Sequence, residues 1–69
     1  MKLSARNVLE GTIKSVDHGA VNSEVVLELA DGVQVVSIIT KHSAEDLKLQ
    51  PGSKAYAVIK ASNVMIAVD

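Results

Sequence analysis

Hydrophobic and polar residues alternate along much of this chain. From 20 to 30, "AVNSEVVLELA" puts Val21, Val25, Leu27 and Leu29 on one side and Asn22, Glu24 and Glu28 on the other, the period of a half-buried β-strand. Ahead of it, "NVLEGTIKSVD" (7–17) reads as a strand with Gly11 inside it, a residue that often marks a bulge or bend. The dipeptide "HG" at 18–19 is a turn signal between the two, and "DG" at 31–32 is a strong hairpin signal after them. The third strand, "VQVVSIIT" (33–40), is apolar on both faces, with Val33, Val35 and Ile39 opposing Val36 and Ile38. A two-faced apolar strand in so short a chain predicts cover from a second layer or from another chain.

The period then changes. "KHSAEDLKLQ" (41–50) sets Ala44 and Leu47 three apart and reads as one short helix, with Ser43 as its N-cap. "PG" at 51–52 ends it, "KAYAVIK" (54–60) is a fourth strand, "ASN" (61–63) is a bend and "VMIAV" (64–68) a short fifth strand. Five strands with one helix between the third and fourth is the element order of an all-β, OB-like Greek-key barrel, spanning 1–69 as a single domain.

Composition narrows the function. A chain of 69 residues buries only ~60% of the surface its unfolded form exposes, and scaffolds this small often lean on disulfides, metals or oligomerisation. There is no cysteine, and His18 and His42 have no ligand spacing around them, so partner subunits remain. The hydrophobic fraction of 48% is almost wholly aliphatic, which fits that route. A net charge of −1 and a single Tyr argue against nucleic acid, which needs a basic groove and stacking platforms, and against an anionic membrane. No Ser/His/Asp set, paired carboxylates or Gly-rich phosphate loop stands out, so the chain reads as a non-enzyme. No apolar run approaches a membrane span and "MKLSARN" lacks the apolar core of a signal peptide, so the expected location is cytoplasmic.

Two clusters of hydrogen-bond donors remain: "SARN" at Ser4–Asn7 and "KASN" at Lys60–Asn63. Each joins a cation, a hydroxyl and a carboxamide around an alanine. Ser hydroxyls, Asn amides and backbone N–H groups all donate, and a backbone concavity with one cation makes an anion site. The plain alternative is that Arg6 forms a surface ion pair while Ser62 and Asn63 shape a turn.

Taken together, "SARNVLEGTIKSV", "EVVLEL", "VVSIIT" and "SAEDLKLQPGSKAYAVIKASNVMIA" resemble the Mop domain, a molybdate- and tungstate-binding unit, over essentially the whole chain. A single domain of this length resembles the free-standing members, the molbindins. The resemblance implies a homohexamer, a trimer of dimers, with oxyanion sites between subunits. It implies that Ser4, Ala5, Arg6 and Asn7 of one subunit and Lys60, Ala61 and Ser62 of another hold the ion as oxyanion, with no direct metal ligands. Thr40 matches a family hydroxyl near the site. A second kind of site near the three-fold axis is matched by the turn His18, Gly19, Ala20, Val21 and Asn22, where His18 stands at a position that often carries Lys or another polar residue. The implied role is intracellular molybdenum storage or homeostasis. A nucleic-acid-binding OB module and a purely structural oligomer stay open beside it.

The chemistry suits the clusters. Molybdate is a tetrahedral dianion with acceptors only, so a selective site presents donors only, and a buried carboxylate would repel the ion. Charge-assisted bonds from Arg6 and Lys60 offset part of the desolvation cost. Phosphate carries a proton at neutral pH and needs an acceptor, which such a site lacks.

Overall fold

The alternating runs form the strands that their period predicts. The computed structural model describes all 69 residues. They are ordered β1 (Asn7–His18), β2 (Asn22–Leu29), β3 (Gln34–Thr40), α1 (Lys41–Asp46), β4 (Lys54–Ile59) and a 3-10 turn at Ala61–Asn63. The strands make one antiparallel sheet in the order β3-β2-β1-β4. The long β1 is shared: its first half pairs with β4, from Asn7↔Ile59 to Thr12↔Lys54, and its second half with β2.

That sharing depends on two local features. Gly11 pairs with both neighbours, facing Leu29 on β2 and Ala55 on β4. A Cβ there would lie 2.6 Å from the Glu28 carbonyl oxygen and 2.9 Å from Leu27 Cγ, so only glycine lets the two strands close. The bulge expected at Gly11 falls instead between Ile13 and Ser15, where the register shifts and Lys14 has no partner. A bulge bends its strand and raises local twist, which curls the sheet.

The "DG" hairpin forms as expected. Gly32 takes φ +86°, a conformation open to glycine without strain. The Leu29 amide donates to the Val33 carbonyl at 2.8 Å, and the Val33 amide donates to Asp31 Oδ1 at 3.1 Å. Val33 therefore belongs to the turn, and β3 begins at Gln34.

The helix is shorter than its sequence predicts and starts earlier. Thr40, rather than Ser43, is the N-cap: its Oγ1 accepts the Ser43 amide at 3.0 Å and donates to Ser43 Oγ at 2.8 Å. Ala44 is its one buried residue.

The core is small. Ile13, Val25 and Leu27 are buried, and Val16, Leu29, Val35, Ile39, Leu49, Ala55 and Ala57 pack on them. Val21, read as core-facing, lies in the turn before β2 and is exposed; the buried residue at that end is Ser23.

The fifth strand is the main correction. Residues 64–68 form no strand in the chain and pair with neither free edge of the sheet. Met65, Ile66 and Val68 are 93%, 86% and 92% exposed, and Val36 and Ile38 on the outer face of β3 are about 60% exposed. The accessible surface is 5498 Å², against roughly 4,200 Å² for a folded monomer of this mass, 7.3 kDa. No helix is long and apolar enough to cross a membrane.

Candidate functional site

The pairing of β1 with β4 decides where the donor clusters go. Because Asn7 faces Ile59, the residues just before β1 emerge beside the residues just after β4. Asn7 tightens that junction by donating Nδ2 to the Ile59 carbonyl at 3.2 Å. The result is a solvent-open depression of about 610 Å³ lined by Ser4, Ala5, Arg6, Val58, Lys60, Ala61, Ser62 and Asn63. Segments more than fifty positions apart in sequence thus meet on one surface.

The lining contains two cations, two hydroxyls and a carboxamide, and no carboxylate. The three ion pairs of the chain are Lys14–Glu28, His42–Asp46 and Lys54–Glu10, so Arg6 and Lys60 have no acidic partner. The surface ion pair that would have made Arg6 ordinary does not form. Ser4, Ser62 and Asn63 make no side-chain hydrogen bond within the chain either. The turn at 61–63 is held by backbone alone, with the Asn63 amide donating to the Lys60 carbonyl at 2.9 Å and no side chain capping it. Its polar side chains are left free. Uncompensated donors facing one open depression can accept a small anion with acceptor oxygens on every side.

Other predicted residues lie elsewhere. Thr40 ends β3, on the far edge of the sheet from β4, and pairs with Asn22. At ~3.3 Å per residue, the length of β1 separates that end from Arg6 by on the order of 30 Å. One chain therefore does not bring Thr40 to its own depression, and its hydroxyl is engaged in capping α1. Thr40 instead shares its end of the sheet with the His18–Asn22 turn. There the Gly19 amide donates to the Asn22 carbonyl at 2.7 Å, and the Lys41 amide donates to the Val21 carbonyl at 2.7 Å. His18 Nδ1 lies 2.6 Å from the buried Ser23 Oγ.

Two lining residues, Val58 and Asn63, were not among the predicted oxyanion ligands. Asn63 was within sight in the "KASN" cluster; Val58 follows from β4 alternation, which points it outward. The Glu10 carboxylate beside Lys54 holds that ammonium above its ordinary value, with Tyr56 adding to it.

Residues 3–66 match the TOBE domain. The chain belongs to the TOBE domain family. Among its relatives in this family, Molybdenum-pterin-binding protein 3 of Clostridium pasteurianum is 50% identical over 66 residues, covering 96% of this chain and 97% of that protein. A molybdate-binding protein from Sporomusa ovata superposes with a TM-score of 0.92 at 38% identity, over 99% of this chain and 100% of the other. The cytoplasmic molybdate-binding protein ModG, in a molybdate-bound crystal form, gives a TM-score of 0.91 at 52% identity, over 94% of this chain and 46% of ModG. The Mop resemblance read from the sequence and the all-β, OB-like class are both borne out by these TOBE relatives.

Proposed function

We propose that this chain binds molybdate, and tungstate by the same donor chemistry, at the depression between "SAR" and "KASN". The observation that carries the reading is a lining with two unpaired cations, free hydroxyl and amide donors and no carboxylate. The names of the Clostridium and Sporomusa relatives and the molybdate-bound form of ModG support the choice of ion. Binding, without catalysis, is the whole of the proposed activity, in the service of intracellular molybdenum storage and homeostasis. The cytoplasmic description of ModG supports the same compartment here.

The proposed working form is a homohexamer, a trimer of dimers, with the ion between subunits. Size supports the sharing. A four-oxygen ion occupies only a few water volumes, ~130 Å³ at ~30 Å³ per water, and the depression is about 610 Å³ and open. One chain cannot enclose the ion, and a neighbouring chain closes the remaining side, bringing its own donors. The surface in excess of a monomer's supports such a neighbour.

The nucleic-acid reading loses its platform. Tyr56, the only aromatic, carries its own Lys54 ammonium 5.6 Å from the ring centroid. Equilibrium dialysis at neutral pH tests the proposal: molybdate is retained, phosphate is not, and single-stranded oligonucleotides are not. No retention of molybdate would overturn it.

A further inference from the structure

The donors around the depression all lie outside the strands. Ser4 and Arg6 come ahead of β1, and Lys60, Ser62 and Asn63 belong to the turn after β4. Val58 is the only lining residue inside a strand. It stands opposite Val8 in the β1–β4 ladder, so the two valines share the outer face of the sheet as a cross-strand pair. The bond from Asn7 Nδ2 to the Ile59 carbonyl fixes the backbone on its C-terminal side. A β-branched side chain is stiff at χ1. Val58 lies outside the core and is 46% exposed. It is a fixed apolar wall beside donors that can move.

Arg6, Lys60 and the serine hydroxyls have no partner within the chain, so they can turn towards any tetrahedral oxyanion. They attract sulfate for the same reason that they attract molybdate, since both are proton-free dianions that only accept. The two ions differ in size, and molybdate is the larger. We infer that Val58 is the specificity-determining residue of the depression, a rigid wall that sets its width for the larger dianion. Val58 donates nothing. A smaller ion drawn onto the donors therefore leaves a gap on the Val58 side. That gap stays empty and forfeits dispersion contacts, or it holds a water that finds no partner on the wall. Molybdate fills it with its own oxygens. The inference rests on the proposed binding of molybdate at this depression and adds the basis for choosing among dianions.

Two substitutions test the wall from opposite sides. Val58→Thr keeps its shape and adds a hydroxyl that can donate to a smaller ion or hold a bridging water. Val58→Ile adds one methylene and narrows the depression. Titration calorimetry on the full-length parent and both variants reads Kd for molybdate and for sulfate, with Tm and solution mass compared to the parent's. The parent is expected to prefer molybdate. In Val58→Thr, sulfate should bind about tenfold more tightly, the low end for one hydrogen bond to a charged group, with molybdate nearly unchanged. In Val58→Ile, molybdate should weaken about tenfold and sulfate less, as expected for one methylene too many in a fitted pocket. The preference for molybdate thus falls in both variants, through a different ion in each. If both variants shift the two anions by equal factors, or shift neither, the inference is overturned and molybdate binding stands; Val58 is then only part of the rim of the apolar cleft that it also borders. A parent that holds sulfate as tightly as molybdate has the same consequence. A parent that binds no molybdate overturns the inference and the proposed function together.

Discussion

Replacing Arg6 with Ala removes one of two cations facing the depression and leaves the fold alone, because Arg6 precedes β1, is exposed, and has no partner within the chain. The loss is therefore a loss of binding. A hydrogen bond to a charged group contributes ~1.5–3 kcal/mol. Coulomb's law gives a similar figure: a unit charge about 4 Å from a dianion in water-like surroundings is attracted by roughly 2 kcal/mol, and by more where the proposed neighbouring subunit excludes water. The expected change is a 10- to 150-fold weaker Kd for molybdate. The parental affinity should also fall with ionic strength across the ~10 Å screening length at 0.1 M salt, and less steeply in Arg6→Ala. Titration calorimetry at two salt concentrations reads both. Glu24→Gln, at an exposed strand position on β2, is the control and should bind like the parent. If Arg6→Ala binds as tightly as Glu24→Gln, the depression is not the oxyanion site.

Gly11→Ala should destabilise the fold by about 1–3 kcal/mol, since its Cβ meets the Glu28 carbonyl oxygen at 2.6 Å and neither strand can yield without loosening the ladder; a thermal melt at fixed protein concentration checks it, and a parental Tm refutes it. Thr40→Ala removes the helix cap and should cost ~1 kcal/mol, or about 4–8 °C in Tm, while Thr40→Ser keeps the hydroxyl and should restore it. Mixed assemblies test the shared site: Arg6→Ala and Ser62→Ala hexamers each bind weakly, and refolding them together should recover a tight-binding fraction where an intact "SAR" of one chain meets an intact "KAS" of another. A uniformly weak mixture places each whole site within one chain.

How much could be read from the sequence depends on where each residue's partner lies. β2 was legible because its alternation is satisfied by neighbours brought up by turns of two and three residues, and the structure keeps Val25, Leu27 and Leu29 on one face. Gly11 was recognised as special, but the reason was not legible: the backbone it accommodates belongs to Glu28, across a pairing that no local pattern specifies. Thr40 and Ser43 are both good caps by residue type, and the choice fell to Thr40 because β3 runs directly into the helix, with its last residue in extended geometry. The donor clusters could be seen as chemistry in the sequence. Their meeting could not, since it follows from Asn7 facing Ile59.

The tail carries this reasoning furthest. "VMIAV" has the apolar, β-branched composition of a strand as clearly as β4 does, yet only β4 is paired in the chain. Local propensity is the same in both cases, and what differs is the availability of a ladder. An apolar run with strand character left 86–93% exposed at Met65, Ile66 and Val68 is unfavourable for an isolated chain, at roughly 25 cal/mol per Å² of apolar surface kept in water. The same surface on β3, at Val36 and Ile38, adds to that cost. Burial of both against a second copy, as in the proposed oligomer, would relieve that cost. The two-faced apolar strand and the unpaired tail are thus two observations with one ground, exposed aliphatic surface, and together they are what the proposed oligomer rests on.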